Sequence, residues 1–274
     1  MSEADKVPPG VDPTRPSPAR LYDYFLGGTS NLPVDREAAE RLKVAVPEIV
    51  DAMWANRGFH GRAAVWLARQ GIRQFIDIGS GLPTQNNTHE AVHKVARDAR
   101  VVYVDNDPMV AAHSGPLLAG DGTTTLIMAD VREPDSLLGD PELRRLIDFA
   151  EPTGLLMTAV MHFVADDADP WGLVARYLGA MAPGSYLVLS HGTYDKMPPN
   201  SIQAGNQTWA RATERTYLRT KPEVERFFDG LELVSPYPGA DRLITYVGLW
   251  GAEDIEAADT EGSRGIYCGV ARRP

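Results

Sequence analysis

A chain of 274 residues has room for one large or two modest domains, and surface scaling has it bury roughly three quarters of its extended-chain surface without metals or crosslinks. With 37 acidic against 27 basic residues, the net charge of −10 opposes non-specific attraction to nucleic acid or an anionic bilayer. A single cysteine, Cys268, excludes an internal disulfide and a cysteine-built zinc site, and the six histidines show no HExxH spacing. The opening MSEADKVPPG lacks the basic segment and apolar run of a secretory signal, and no apolar run reaches membrane-spanning length. A cytoplasmic protein is therefore expected, with no metal, no membrane and no nucleic acid among its partners.

Residues 1–18, rich in proline and charge, read as a flexible leader. The following ARLYDYFLGG is too apolar for a free tail, and Gly27-Gly28 supplies a turn. Helices are predicted around 35–46 and 47–69. In the second, Ile49, Val50, Met53, Trp54, Ala64 and Leu67 approximate a stripe, and Gly71 suits the C-terminal cap. Residues 19–72 are thus expected as a helical cap on a core of residues 73–274, the two forming one compact unit.

From residue 75 short apolar runs alternate with helical stretches: FIDIG, VVYVD, TLIMAD, GLLMTAV and SYLVLS. Such runs suit parallel strands covered by helices on both faces, an open α/β fold with right-handed crossovers. Crossover helices are predicted near 89–96, 108–118, 140–147 and 170–181. The polar stretch 191–216 reads as a loop with a short helix over the strand ends, and 221–228 as a helix with Pro222 in its first turn. LELV at 231–234, then 243–250 and 265–271, supply the closing strands.

The strongest local motif is FIDIGSGLPT, residues 75–84, where Gly79-Ser80-Gly81 follows a buried strand. Glycines there permit a tight turn and close approach of backbone to a ligand, although such a turn also has a purely structural use. VVYVDNDP ends the next strand at Asp105, about twenty residues on, where an acid can accept hydrogen bonds from two ribose hydroxyls. Asp107 is the neighbouring alternative, or else the cap of the helix starting at Pro108. TLIMAD ends at Asp130, placed to accept from an adenine amine while the Val131 backbone meets the ring edge. Open α/β sheets bind ligands at such strand ends.

The order FIDIGSG, VVYVDNDP, MADVREP resembles class I S-adenosylmethionine-dependent methyltransferases. With ARLYDYFLGG in front and VMHF and PGSYLVLSH behind, the chain is similar to the actinobacterial S-adenosyl methyltransferase family, formerly a domain of unknown function, over nearly its whole length. That resemblance implies a Rossmann-like, seven-stranded, mostly parallel sheet with its last strand antiparallel. It also implies S-adenosylmethionine as donor and S-adenosylhomocysteine as product. The donor residues it implies are Gly79, Ser80, Gly81, Asp105, Asn106, Asp130, Val131, Ala159 and Met161. A nicotinamide enzyme is the rival on the same sheet, but the third glycine of its fingerprint is missing and Pro83 intrudes. A non-catalytic sensor of the same ligand is the other rival.

Acceptor chemistry is less legible. His162, after the fourth strand, either orients an acceptor, takes its proton, or closes the core; His191 directly ends the fifth strand. Tyr194 and Trp209 are further candidates for the acceptor side, and Tyr22, Asp23 and Tyr24 for a closing cap, with core anchoring as the alternative. A small-molecule acceptor is expected, because the acidic chain has no basic stripe for nucleic acid.

Overall fold

The computed structural model describes residues 7–83, 86–118 and 122–274; residues 1–6 of the expected leader and Thr84 of the glycine motif lie outside these. Helix α1 (Pro18–Phe25) starts where Ser17 Oγ accepts from the Arg20 N–H and Pro18 sets the first turn. Helix α2 (Pro33–Ala45) buries Ala38, Ala39 and Leu42 against Leu21 and Phe25 of α1. A buried ion pair of 2.7 Å, Arg20 Nε to Asp35 Oδ2, ties the two together. Helix α3 (Ile49–Arg69) ends ahead of Gly71, which sits at φ +95° as a C-terminal glycine does. Its buried stripe runs Ala52, Phe59, Ala63, Leu67. Trp54, expected within that stripe, lies two residues from Ala52, about 200° round the axis, and is 44% exposed.

The core then alternates strand and helix: β1 (Gln74–Ile78), α4 (Thr88–His93), β2 (Arg100–Asp105), α5 (Pro108–Leu118), β3 (Thr124–Met128), α6 (Pro134–Gly139), α7 (Pro141–Leu146), β4 (Gly154–Thr158), α8 (Pro170–Gly179), β5 (Tyr186–Gly192). After α9 (Pro199–Trp209) and α10 (Lys221–Glu225) come β6 (Glu232–Leu233), β7 (Thr245–Tyr246) and β8 (Ile266–Arg272). The sheet order is β3-β2-β1-β4-β5-β8-β6, with β1 to β5 parallel and β8 antiparallel to β5. The expected seven strand positions are present, but the sixth is split. Both β6 and β7 pair with β8, at Ala271–Arg272 and Tyr267–Cys268 respectively, so eight segments fill seven places.

Alternation along the strands builds two cores. Ile76, Val102, Leu155 and Leu187 face α6, α7 and α8, while Phe75, Val101, Leu156 and Val188 face α3 and Trp250. Cys268 is a buried thiol on the second side. Strand β1 sits where the order reverses, between β2 and β4, so a crevice opens above its carboxyl end. Among the described residues no helix is long and apolar enough to cross a membrane, and no group of three or more metal-ligating side chains gathers.

Candidate active site

Beyond β1 the chain turns through Gly79 at φ +72° and Gly81 at φ +67°, the left-handed region that favours glycine. A Cβ on Gly79 would stand 2.5 Å from Val160 Cγ2, so only glycine lets the turn pass under the loop after β4. Gly79 and Ser80 N–H both donate to Val104 O, at 2.8 and 3.2 Å. Asp105, at the end of β2, accepts from Gly81 N–H at 2.8 Å and from Asp107 N–H at 3.0 Å. Its carboxylate thereby shapes the turn and still lines the cleft, with lone pairs to spare. Burial pushes its pKa up to about 6, against the opposing pull of those N–H donors. Asp107 takes the capping role: Oδ1 accepts from Met109 N–H, while Oδ2 accepts from the Ser17 hydroxyl of the incoming chain.

After β3, Asp130 is gripped by Arg132, whose Nε and N–H both donate to Oδ1 at 2.8 Å, and by Asn106 at 3.2 Å. Burial alone would raise the Asp130 carboxyl, but these donors and the Arg132 charge hold it below the usual carboxylate range. Arg132 also pairs with Glu214 at 3.1 Å, which brings the segment after α9 to the cleft. Val131 O accepts from the Tyr177 hydroxyl, whereas Val131 N–H meets no acceptor among the described residues.

The end of β4 carries a backbone outlier. Ala159 lies at φ +56°, a conformation that costs a non-glycine residue about 1–3 kcal/mol and persists only where the surroundings impose it. Its N–H is held by Ser190 O at 3.1 Å and Ser190 Oγ at 2.9 Å. Ser190 in turn donates to Asn56 Oδ1 at 2.6 Å, and Asn56 Nδ2 donates to the Tyr22 hydroxyl at 3.0 Å. Tyr22 completes the series by donating to Met53 O. One hydrogen-bonded chain thus runs from α1 and α3 to the end of β4.

Two imidazoles line the cleft, His60 from α3 and His162 from the turn after β4. His60 contacts Thr158 Oγ1 through Nδ1 at 2.9 Å and Thr88 Oγ1 through Nε2 at 2.7 Å. The Thr88 hydroxyl donates to Asp77 Oδ2 at 2.6 Å, so His60 must donate to Thr88 through Nε2 and accept from Thr158 at Nδ1. Burial, then the nearby Arg57 charge, lowers the His60 pKa to about 3, while burial raises Asp77 to about 6. His162 accepts from Gly192 N–H at Nδ1, 3.3 Å. Burial and the Arg219 charge lower its pKa to about 3.

A cleft of about 340 Å³ spans these strand ends. It gathers Gly79, Ser80, Gly81, Asp105, Asn106, Asp130, Val131, Ala159, His162, Tyr22 and Trp209 from the residues expected by sequence. Five others lie elsewhere. Met161 is fully buried in the core beneath the cleft. His191 is fully buried with both nitrogens engaged, Nδ1 to Gly192 O and Nε2 to Arg219 at 2.8 Å, and so has no atom for an acceptor. Asp23 is buried and accepts from Asn31, Tyr24 bonds Glu40 on an outer surface, and Tyr194 follows β5 outside the cleft lining. Conversely, His60 and Asn56 line the cleft without any local motif to announce them, and Arg132 lines it from within MADVREP. Arg219, behind the cleft, clamps the turn through Met161 O and Val164 O and pairs with Asp166 at 2.6 Å.

The chain matches the family described as S-adenosyl methyltransferase over residues 4–274. A DUF574 family protein from Streptomyces avermitilis is 41% identical, with 95% of this chain and 98% of that chain covered and a TM-score of 0.87. A protein from Thermobifida fusca is 38% identical, with 97% of each chain covered and a TM-score of 0.87. No curated protein matches. Near-complete coverage by the family and by two such relatives, together with the strand order and the cleft, establishes that this chain belongs to the S-adenosyl methyltransferase family and is a methyltransferase that uses S-adenosylmethionine.

Proposed function

We propose that the donor lies along the ends of β1 to β3 and that a small-molecule acceptor enters beside β4, under the cap of residues 19–72. One observation carries this reading: a single cleft gathers the Gly79–Gly81 turn, the Asp105 carboxylate and the unpartnered Val131 N–H, in strand order. The donor set fits the ligand. Nothing stands within 4 Å of where a Gly81 Cβ would be, which leaves room for close backbone approach, Asp105 accepts ribose hydroxyls, and Asp130 with Val131 N–H matches the donor and acceptor of an adenine edge.

When bound, the donor supplies a methyl group on a positively charged sulfur that is already activated for attack. The protein's share is alignment and exclusion of water. Tyr22 and Trp209 wall the cleft from the cap side and from α9, and Ala159 and His162 stand at the acceptor end. The aromatic walls and the acidic chain favour a small organic acceptor over nucleic acid. A cytoplasmic setting belongs to this reading, since S-adenosylmethionine is made and spent inside cells.

Calorimetry with S-adenosylmethionine, S-adenosylhomocysteine and NAD tests it. Both sulfur ligands are expected to bind and NAD is not. Asp105→Ala removes a charged acceptor worth about 1.5–3 kcal/mol, which predicts roughly 10- to 100-fold weaker binding. Binding of NAD in preference to S-adenosylhomocysteine would sink the assignment of the cleft.

A further inference from the structure

Resting on that reading of the cleft, we propose that the acceptor is an oxygen acid, such as an acidic phenol or enol, that arrives ionised and is held by a hydrogen bond from His162 Nε2–H rather than being deprotonated by it. The inference begins with the Gly192 N–H. A backbone amide can only donate, so His162 Nδ1 is the unprotonated nitrogen and Nε2 carries the hydrogen of the neutral ring. Nε2 has no hydrogen-bond partner among the described residues. Among the described residues the buried side-chain nitrogens and oxygens without a partner are Arg219 Nε and Trp250 Nε1, so His162 Nε2 is open to the cleft that its residue lines.

The surroundings hold this state. His191 packs edge-on against His162 with ring centroids 5.5 Å apart, and Arg219 stands behind both, its charge partly offset by Asp166. A second positive charge on the His162 ring would be disfavoured there, in keeping with its pKa of about 3. The other cleft imidazole offers no base either, because Thr158 and Thr88 occupy both nitrogens of His60. Asp77 accepts the Thr88 hydroxyl through Oδ2 beside His60, and Tyr22 already donates to Met53 O. Among the described residues, neither cleft imidazole therefore offers an open base, and His162 presents a donor.

That arrangement discriminates between nucleophiles. An amine nitrogen has one lone pair, which cannot both accept the His162 hydrogen bond and attack carbon. An oxygen anion has three: one accepts from Nε2–H while another forms the new C–O bond. As that bond forms, the S–CH₃ bond breaks and its electron pair passes to sulfur, turning the sulfonium into a neutral thioether. The anionic and cationic charges cancel, and no proton needs to move. Phe163, 4.4 Å from His162 between ring centroids, and Trp209, 5.6 Å from Phe163, provide flat walls for an aromatic or conjugated acceptor.

Two measurements on the full chain decide the matter. Long-range proton–nitrogen spectra of ¹⁵N-labelled protein, with the His162 signal identified by its loss in His162→Phe, should show protonation on Nε2 alone at pH 7. A ring protonated on Nδ1, or charged, would overturn the proposal. Calorimetry on protein saturated with S-adenosylhomocysteine then compares 4-nitrophenolate with 4-nitroaniline, which has nearly the same shape. The phenolate should bind at least tenfold more tightly, with the preference kept in His162→Gln, which restores an N–H, and lost in His162→Phe. Equal binding of the two probes, or binding of neither, overturns the oxygen-acid acceptor and leaves the donor site standing. Failure of S-adenosylhomocysteine itself to bind removes the donor reading, and the acceptor proposal with it.

Discussion

Asp105 accepts from the backbone of the glycine turn and also faces the cleft, which makes donor binding sensitive to protons in a defined direction. Burial raises its pKa from 3.8 to about 6. Its contribution to folding is complete below the unfolded value and is lost as pH rises through about 6, because the ionised form is the disfavoured one. Ribose hydroxyls prefer that ionised form, so the ligand recovers part of the loss above pH 6 and competes with a proton below it. Affinity for S-adenosylhomocysteine should fall about tenfold between pH 7 and pH 5, measured by calorimetry, and Asp105→Asn should flatten the slope. A slope that persists in the variant belongs to Asp77, also near 6 through burial. Gly79→Ala is the steric counterpart. With its Cβ 2.5 Å from Val160 Cγ2 at φ +72°, it should lower the melting temperature by roughly 4–8 °C, from about 2 kcal/mol of strain. An unchanged melting temperature would mean that the Val160 loop yields freely. The acids at the strand ends were legible in sequence because their position is set locally by the strand that precedes them. His60 and Arg219 were not: His60 meets Thr158 across 98 positions and Arg219 meets His191 across 28, separations that no local pattern encodes.

At the scale of elements, the series Met53, Tyr22, Asn56, Ser190, Ala159 couples α1 and α3 to β5 and the end of β4. Asn56 is its central link, and removing it leaves Tyr22 and Ser190 each short of a partner in a buried setting. Asn56→Ala should therefore cost about 2–3 kcal/mol in urea unfolding, clearly more than Tyr22→Phe, which removes a single donor. The reverse order would show that α1 and α3 are held to the sheet by apolar contact alone. Most elements were readable from periodicity: runs such as VVYVD announce strands buried on both faces, and α3 announces itself by length. The closing runs at 231–234 and 243–250 were also readable, but not how little of each pairs: β6 and β7 contribute two residues each, defined by what β8 offers them. Trp54 misled for a related reason. Its size suggests burial, but its angle on α3 points it away from the sheet.

For the molecule as a whole, the stretch ahead of α1 is joined to segments far along the chain. Arg15 donates to Ala212 O, Thr213 N–H donates to Pro16 O at 2.8 Å, and the Ser17 hydroxyl bonds Asp107. Gly10, Val11 and Asp12 line the same cleft as Thr213 and Glu214. These contacts set an order for biosynthesis. The partner of Arg15 lies 197 positions downstream, so at about 5–20 residues per second Arg15 waits roughly 10–40 s for its seat to emerge from the ribosome. During that interval α1 has α2 and α3 to cover Leu21 and Phe25, and later Asp107 to take Ser17, but nothing for Arg15 and Pro16 to close against. The stretch ahead of α1 is thus made well before its last fastening, and a nascent chain halted before residue 212 would carry the whole glycine turn without the Arg15 and Pro16 latch.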